Sequence, residues 1–321
     1  MNADISEPVV KVADLAFARL QSPDLDVAET FLTDFGLQRV ERTATALYMR
    51  GTDDAHHLHV THLGPSRYLS LAWQAASYDD LVRLAKLPGS SGIESTDEPG
   101  GGKRVRLKDP SGYTVEVVHG IDRVAPIEIR RPELNSGARR LQRKGTFFRV
   151  PTGPAHVKRI GHAVIMTPDF EKTLHWYRRT LGFLCTDEIY RGDRTNIVGS
   201  FNRVNRGEEF VDHHVFYVIR GGKTGLNHVS FEVQDVDDVL IGHEHLKARG
   251  YRPTWGVGRH ALGSQIFDYW FDPWDRVHEH WTDSDRVNVH TPSGFGEAGI
   301  YTRGPWGPYP PGNDLLTHAT P

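Results

Sequence analysis

Apolar and polar positions along the chain fall into patterns that recur in its two halves. Residues 15–42 (LAFARLQSPDLDVAETFLTDFGLQRVER) read as a short strand, a Pro-Asp turn, an amphipathic helix and a glycine-ended helix stop. Residues 160–188 (IGHAVIMTPDFEKTLHWYRRTLGFLCTDE) read the same way. Pro168-Asp169 answers Pro23-Asp24, and Leu181-Gly182-Phe183 answers Phe35-Gly36-Leu37. Proline at the entry and glycine past the end is the asymmetry expected of helices. A second pair follows. LNHVSFEVQDVDDV (226–239) and YLSLAWQAASYDDL (68–81) alternate as half-buried strands do, then meet an aspartate-rich helix entry. DPWDRVHEHW (272–281) and DPSGYTVEVV (109–118) are each a turn followed by an alternating strand. Runs of strands with few helices predict an α+β fold rather than a doubly wound sheet. The repeat predicts two domains, over 8–120 and 160–285. A basic connector (121–159, with RRPELNSGARRLQRK) is expected to cross between them in solvent. The Gly/Pro-rich tail, 286–321, is expected to lack regular structure, with Trp306 and Tyr309 as the side chains able to pin it.

A chain of 321 residues suits two domains at ~150 residues each. Lys and Arg number 38 against 41 Asp and Glu, a near balance that gives no electrostatic footprint for nucleic acid. With 38% hydrophobic and 25% charged residues, a packed core is expected and wholesale disorder is not. No stretch approaches the ~20 apolar residues of a membrane-spanning helix. MNADISEPVV lacks the basic and apolar regions of a signal peptide. Cys185 is the single cysteine, which excludes an internal disulfide and a cysteine-based metal cage. It is expected to be a small buried apolar residue. These features together suggest the cytoplasm. The chain's chemistry then rests on its 18 histidines.

Three positions of the second half stand out: His162 in IGHAV, His228 in LNHVSFEV and Glu279 in VHEHW. Each falls on a predicted strand, far from the others in sequence, so no short zinc motif applies. Two imidazoles and one carboxylate on one face are the ligand set of a non-haem Fe(II) oxygenase, which leaves coordination positions open. A lone strand histidine is more often a packing or surface residue, and spacing alone leaves their convergence open.

Beyond these residues, GRHALGSQIFDYWFDPWDRVHEHW (258–281) resembles the signature of the type I extradiol ring-cleavage dioxygenases of the vicinal oxygen chelate superfamily. The resemblance covers about residues 8 to 285. It implies two βαβββ modules in each domain, curved into an incomplete mixed-sheet barrel, with the metal inside the second domain. It implies His162, His228 and Glu279 as metal ligands. His260 corresponds to the family's outer histidine and Tyr269 to its active-site tyrosine. The family's acid–base histidine lies about fifteen residues before the second ligand, which points to His213, with its neighbour His214 as the other candidate. A strand has period two, so only one of the two can face the barrel interior.

The implied reaction inserts both atoms of O2 into a catechol and cleaves the ring beside the diol, in aromatic degradation. The implied cofactor is Fe(II), with Mn(II) also compatible with this ligand set. Partners would be the catechol, O2 and further copies of the chain in a homo-oligomer. Relatives acting on charged catecholic acids tend to carry an Arg shortly before Gly-Arg-His; Trp255 stands there, which suggests a neutral alkyl- or aryl-catechol. His214, Val164, Trp255 and Trp270 are the expected substrate contacts. Gly263 departs from members that have an Asp near the pocket. In the first half, Phe17 and Ser70 stand where His162 and His228 stand, while Glu116 matches Glu279, so that half is expected to bind no metal. His56, His57 and His59 are expected to be structural or surface residues. The competing expectations are a glyoxalase-like metal-dependent isomerase or epimerase, and a non-enzymatic binding protein of the same superfamily.

Overall fold

The structure, a computed structural model, describes residues 7–129, 133–301, 304–309 and 317–321. The first half runs β1 (Asp14–Ser22), α1 (Leu25–Asp34), β2 (Gln38–Arg42), β3 (Ala46–Arg50) and β4 (His59–Leu63). It continues with β5 (Arg67–Gln74), α2 (Tyr78–Leu84), β6 (Ile93–Ser95), β7 (Lys103–Lys108) and β8 (Thr114–His119). The second half runs β9 (Val157–Thr167), α3 (Phe170–Leu181), β10 (Leu184–Arg191), β11 (Asp193–Arg203), β12 (Val211–Asp212) and β13 (Phe216–Arg220). Then come β14 (Gly225–Val233), α4 (Val236–Ala248), β15 (Pro253–Arg259), β16 (Ile266–Phe271) and β17 (Val277–Thr282). The chain ends with β18 (Arg286–Val287), β19 (Gly294–Glu297) and α5 (Ala298–Tyr301). Leaving aside the short β12–β18 pair and the terminal β19 and α5, each half reads β-α-β-β-β twice, as the repeat predicts.

Strand order is β2-β3-β4-β1-β5-β8-β7-β6 in the first sheet and β15-β16-β17-β14-β9-β13-β11-β10-β19 in the second. In both, the first strands of the two modules pair antiparallel at the centre, β1 with β5 and β9 with β14. The helices follow from their caps. Asp24 accepts from the amides of Asp26 (2.8 Å) and Val27 (3.0 Å) to open α1. At the end of α3, Gly182 has φ +80°, and a β-carbon there would lie 2.6 Å from the Val10 carbonyl oxygen. Left-handed backbone and close approach both demand glycine at that point.

The two halves share one core. Trp73 of β5 meets Phe183 and Phe216 of the second half at centroid distances of 4.9 and 5.5 Å. Two equivalent turns clasp the halves reciprocally. The β7–β8 turn sends Asp109 to the Tyr177 hydroxyl (3.2 Å) and Ser111 to Thr167 (2.7 Å) in the second half. The β16–β17 turn sends Arg276 to the Gln21 carbonyl (2.7 Å) and Ser22 hydroxyl (2.8 Å) in the first. His59, read as structural, sits at this junction, fully buried against His278.

The connector is exposed over most of its described length, although Val124 and Ile127 donate backbone bonds to the first domain. Residues 130–132 of its basic run lie outside the described residues, as do 302–303 and 310–316 of the tail. The tail departs from expectation. β19 pairs parallel with the edge strand β10, and the Thr320 and Leu226 backbones exchange hydrogen bonds of 2.8 and 2.9 Å. An open sheet edge offers unpaired amides and carbonyls to any passing backbone, whatever its side chains. Composition therefore could not announce this strand. Trp306 is tied through its carbonyl to the Arg259 amide (3.1 Å), while Tyr309 is largely exposed. No described helix is long and apolar enough to cross a membrane.

Arg276 is 3% exposed and its guanidinium lies 2.5 Å from the carboxylate of buried Asp272. Arg276→Ala strands that carboxylate and opens one clasp. It is expected to lower the unfolding free energy by about 3–5 kcal/mol in chemical denaturation.

Candidate metal centre and active site

Strands β17, β14 and β9 are neighbours, and their register brings the three sequence-predicted ligands onto one face. Ser230 of β14 lies opposite both His162 of β9 and Glu279 of β17. Directly opposed residues share a face, and so do residues two apart on a strand. His228 therefore joins His162 and Glu279. One ligand atom from each lies within 4.8 Å of the others. His162 Nε2 is 2.9 Å, and His228 Nε2 3.4 Å, from Glu279 Oε2. All three side chains are buried, and Glu279 is 0% exposed.

A buried carboxylate ordinarily has hydrogen-bonding partners. Neither oxygen of Glu279 makes an aligned hydrogen bond, and His162 Nδ1 and His228 Nε2 are likewise without one. Burial would raise the Glu279 carboxyl, but His162, His228 and His260 outweigh it and hold it well below the usual range. Burial depresses His162. His228 Nδ1 is 2.7 Å from the Asn227 side-chain oxygen, which can only accept there; this leaves the Nε2 lone pair facing Glu279. A carboxylate with imidazole lone pairs, all desolvated and poorly satisfied, fits a divalent cation.

The first domain supplies the contrast. Glu116 stands in register where Glu279 does, and Phe17 and Ser70 stand where His162 and His228 do. There Arg19 reaches Glu116 at 2.8 Å, assisted by the Ser70 hydroxyl and by Arg104 at 3.3 Å. The same buried acid is neutralised by a side chain in one domain and has no such side chain in the other.

Around the second cluster lies a cavity of about 130 Å³. Its lining comes from β9, β10, β11, β13, β14, β15 and β16, strands on both flanks of the sheet, which therefore curves round it. Tyr269 lies opposite Glu279 on β16, and Trp255 opposite Tyr269 on β15. His260 Nε2 is 2.9 Å from the Tyr269 hydroxyl. Burial, with Glu279 nearby, raises Tyr269 well above the ordinary phenol range. Val164 also lines the cavity.

Two expectations change. His214, not His213, lines the cavity, with its ring 4.3 Å from that of His162. His213 points away and places Nε2 2.6 Å from Asp187. The alternation of side chains admits one neighbour only, and counting residues across a loop did not say which. Trp270, expected at the substrate, is fully buried on the opposite face of β16 from Tyr269, with its indole nitrogen 2.5 Å from Asp268. Other lining residues were not singled out from the sequence. Phe201, Tyr217 and Ile219 alternate on their strands like any core residue. Ala298 comes from the tail.

Comparison with known proteins agrees with this geometry. Residues 159–277 match the family model Glyoxalase/Bleomycin resistance protein/Dioxygenase superfamily. "Metapyrocatechase 2" of Cupriavidus necator is 29% identical over 89% of this chain and 85% of its own length. The Mn(II)-bound glyoxalase from Novosphingobium aromaticivorans superposes with a TM-score of 0.79 at 24% identity, covering 97% of this chain and 96% of that one. The homoprotocatechuate 2,3-dioxygenase of Brevibacterium fuscum, complexed with 3,4-dihydroxyphenylacetate, superposes with a TM-score of 0.78 at 19% identity, covering 99% and 96%. The second half of the chain thus matches the glyoxalase and dioxygenase superfamily model, and over most of its length the chain is similar to proteins named as metapyrocatechases and extradiol dioxygenases.

Proposed function

We propose that the protein is an extradiol dioxygenase that inserts both atoms of O2 into a neutral, alkyl- or aryl-substituted catechol and cleaves the ring beside the diol. The observation that carries the proposal is buried Glu279, with neither oxygen in an aligned hydrogen bond, between two histidines that line a cavity. His162, His228 and Glu279 would hold the metal, Fe(II) or Mn(II). When bound, such an ion with open positions supplies a common site for diol and O2 and a path for electrons between them.

The chain's own residues do the rest. His214 packs on His162 and lines the cavity, placed to take a proton from a substrate hydroxyl and to return it later. Tyr269, held as a phenol by its surroundings, donates to a substrate oxygen or to His260. His260 steadies that hydroxyl. Val164 and Trp255 bound the apolar side of the cavity, together with Phe201 and Leu262. No Arg or Lys is among the lining residues, which favours a neutral ring substituent over a carboxylate.

Anaerobic reconstitution with Fe(II) or Mn(II), followed by catechols in air, tests this. Equimolar metal and a yellow ring-opened product from 3-methylcatechol or 2,3-dihydroxybiphenyl are expected. Stoichiometric metal without turnover of any catechol would overturn the reaction assigned. Glu279→Gln should abolish stoichiometric metal binding, read by elemental analysis after gel filtration. His214→Phe should keep the metal and lower kcat by about 10²–10⁴-fold, the usual worth of a general acid–base group. Trp255→Arg should raise kcat/KM for 3,4-dihydroxyphenylacetate relative to 4-methylcatechol by about 10-fold, a differential of ~1.4 kcal/mol.

A further inference from the structure

The adjacent pair His213–His214 has a counterpart. In the first domain, His56 and His57 precede β4 as the other pair precedes β13. In both pairs the Nδ1 atoms are 3.0 Å apart and the rings nearly perpendicular, at 87° and 89°. His57 packs on Phe17 at 4.6 Å as His214 packs on His162 at 4.3 Å. The paired geometry therefore belongs to the fold and by itself says nothing of catalysis.

What differs lies behind the pair. His213 Nε2 is 2.6 Å from Asp187 Oδ2 on β10, whereas His56 has no carboxylate within ion-pair distance among the described residues. The side chain of Asp187 is only 13% exposed. Its neighbour on β19 is Gly294, where a β-carbon would stand 2.0 Å from Asp187 Oδ1. The tail strand thus covers the carboxylate and leaves it room.

A carboxylate only accepts hydrogen bonds, so His213 Nε2 must carry the proton it shares with Asp187. In the neutral form of that pair His213 has a bare Nδ1, which can only accept, whereas an imidazolium would donate from Nδ1 and leave His214 protonated on Nε2. In the neutral form His214 must donate to His213 from Nδ1, and its own Nε2 is left with a lone pair. That nitrogen has no hydrogen-bond partner among the described residues, and its ring lines the cavity. We propose that Asp187 and His213 are positioning residues, which hold His214 in the tautomer whose bare Nε2 faces the substrate. The proposal rests on the catechol-cleaving reading for the use of that lone pair, but the tautomer can be observed without it.

The experiment is long-range ¹H–¹⁵N correlation NMR on metal-free protein with ¹⁵N-labelled histidine, the two resonance sets being assigned by their loss in His213→Gln and His214→Gln. Wild type is expected to show His213 protonated on Nε2 and His214 on Nδ1. Asp187→Asn, whose amide can donate or accept, should mix the His214 tautomers. In the reconstituted enzyme it should lower kcat about 10- to 100-fold and change KM less than about 3-fold, in line with the loss of a group that orients a site residue. His56→Gln, which alters the matching pair of the first domain, should leave both constants unchanged. His214 carrying its proton on Nε2 in wild type, or tautomers in Asp187→Asn identical to wild type, overturns the proposal. If Asp187→Asn does not fold, the wild-type tautomers decide. If wild type cleaves no catechol, the reaction assigned fails while the tautomers still decide this point.

Discussion

A buried carboxylate with no aligned hydrogen bond among the described residues is the constraint on which the second domain depends. Glu279 lies at the centre of three neighbouring strands, where an isolated carboxylate is costly to ionise. The imidazoles of His162 and His228 relieve it only in part, because as lone-pair donors they bring no full positive charge. The strands and their register keep that charge buried and its neighbours on one face. Much of the candidate chemistry follows from placing a cation among such groups.

The register does this economically. Ser230, small and opposed to two ligands at once, sets His162 and Glu279 on the same row of the sheet, and Tyr269 and Trp255 extend the row to the sheet's edge. A slip of one residue on any of these strands would turn its contribution to the other face. The reciprocal clasps through Asp109 and Arg276 tie each sheet to its partner at equivalent turns. The turn that holds Arg276 leads directly into the strand that carries Glu279, so domain contact and site geometry share one short segment.

The repeat and the α+β order were legible in the sequence because each rests on strand alternation, whereas the gathering of His162, His228 and Glu279 was implied by the family resemblance and not by their spacing. Residues from Gly258 to Glu279 run through two successive hairpins, β15–β16 and β16–β17, so His260 and Tyr269 could be placed by counting. His213 and His214 could not. They follow a two-residue strand and a bend, where the alternating register restarts and a count of residues no longer fixes a face. Trp270 misled for a related reason: its ring type suits a pocket, yet its neighbour Tyr269 already owns that side of β16. β19 left no trace in composition, since it joins the sheet by backbone bonds alone at an edge, and Ala298 entered the cavity with it.

The first domain shows what the same architecture becomes when the cation is built in. Arg19 is part of the chain and neutralises Glu116 whenever the domain is folded. That half carries its counter-ion through chelation, oxidation and metal shortage alike, and it shares its hydrophobic core with the half that does not. The first half therefore keeps its buried acid paired with nothing supplied from outside the chain.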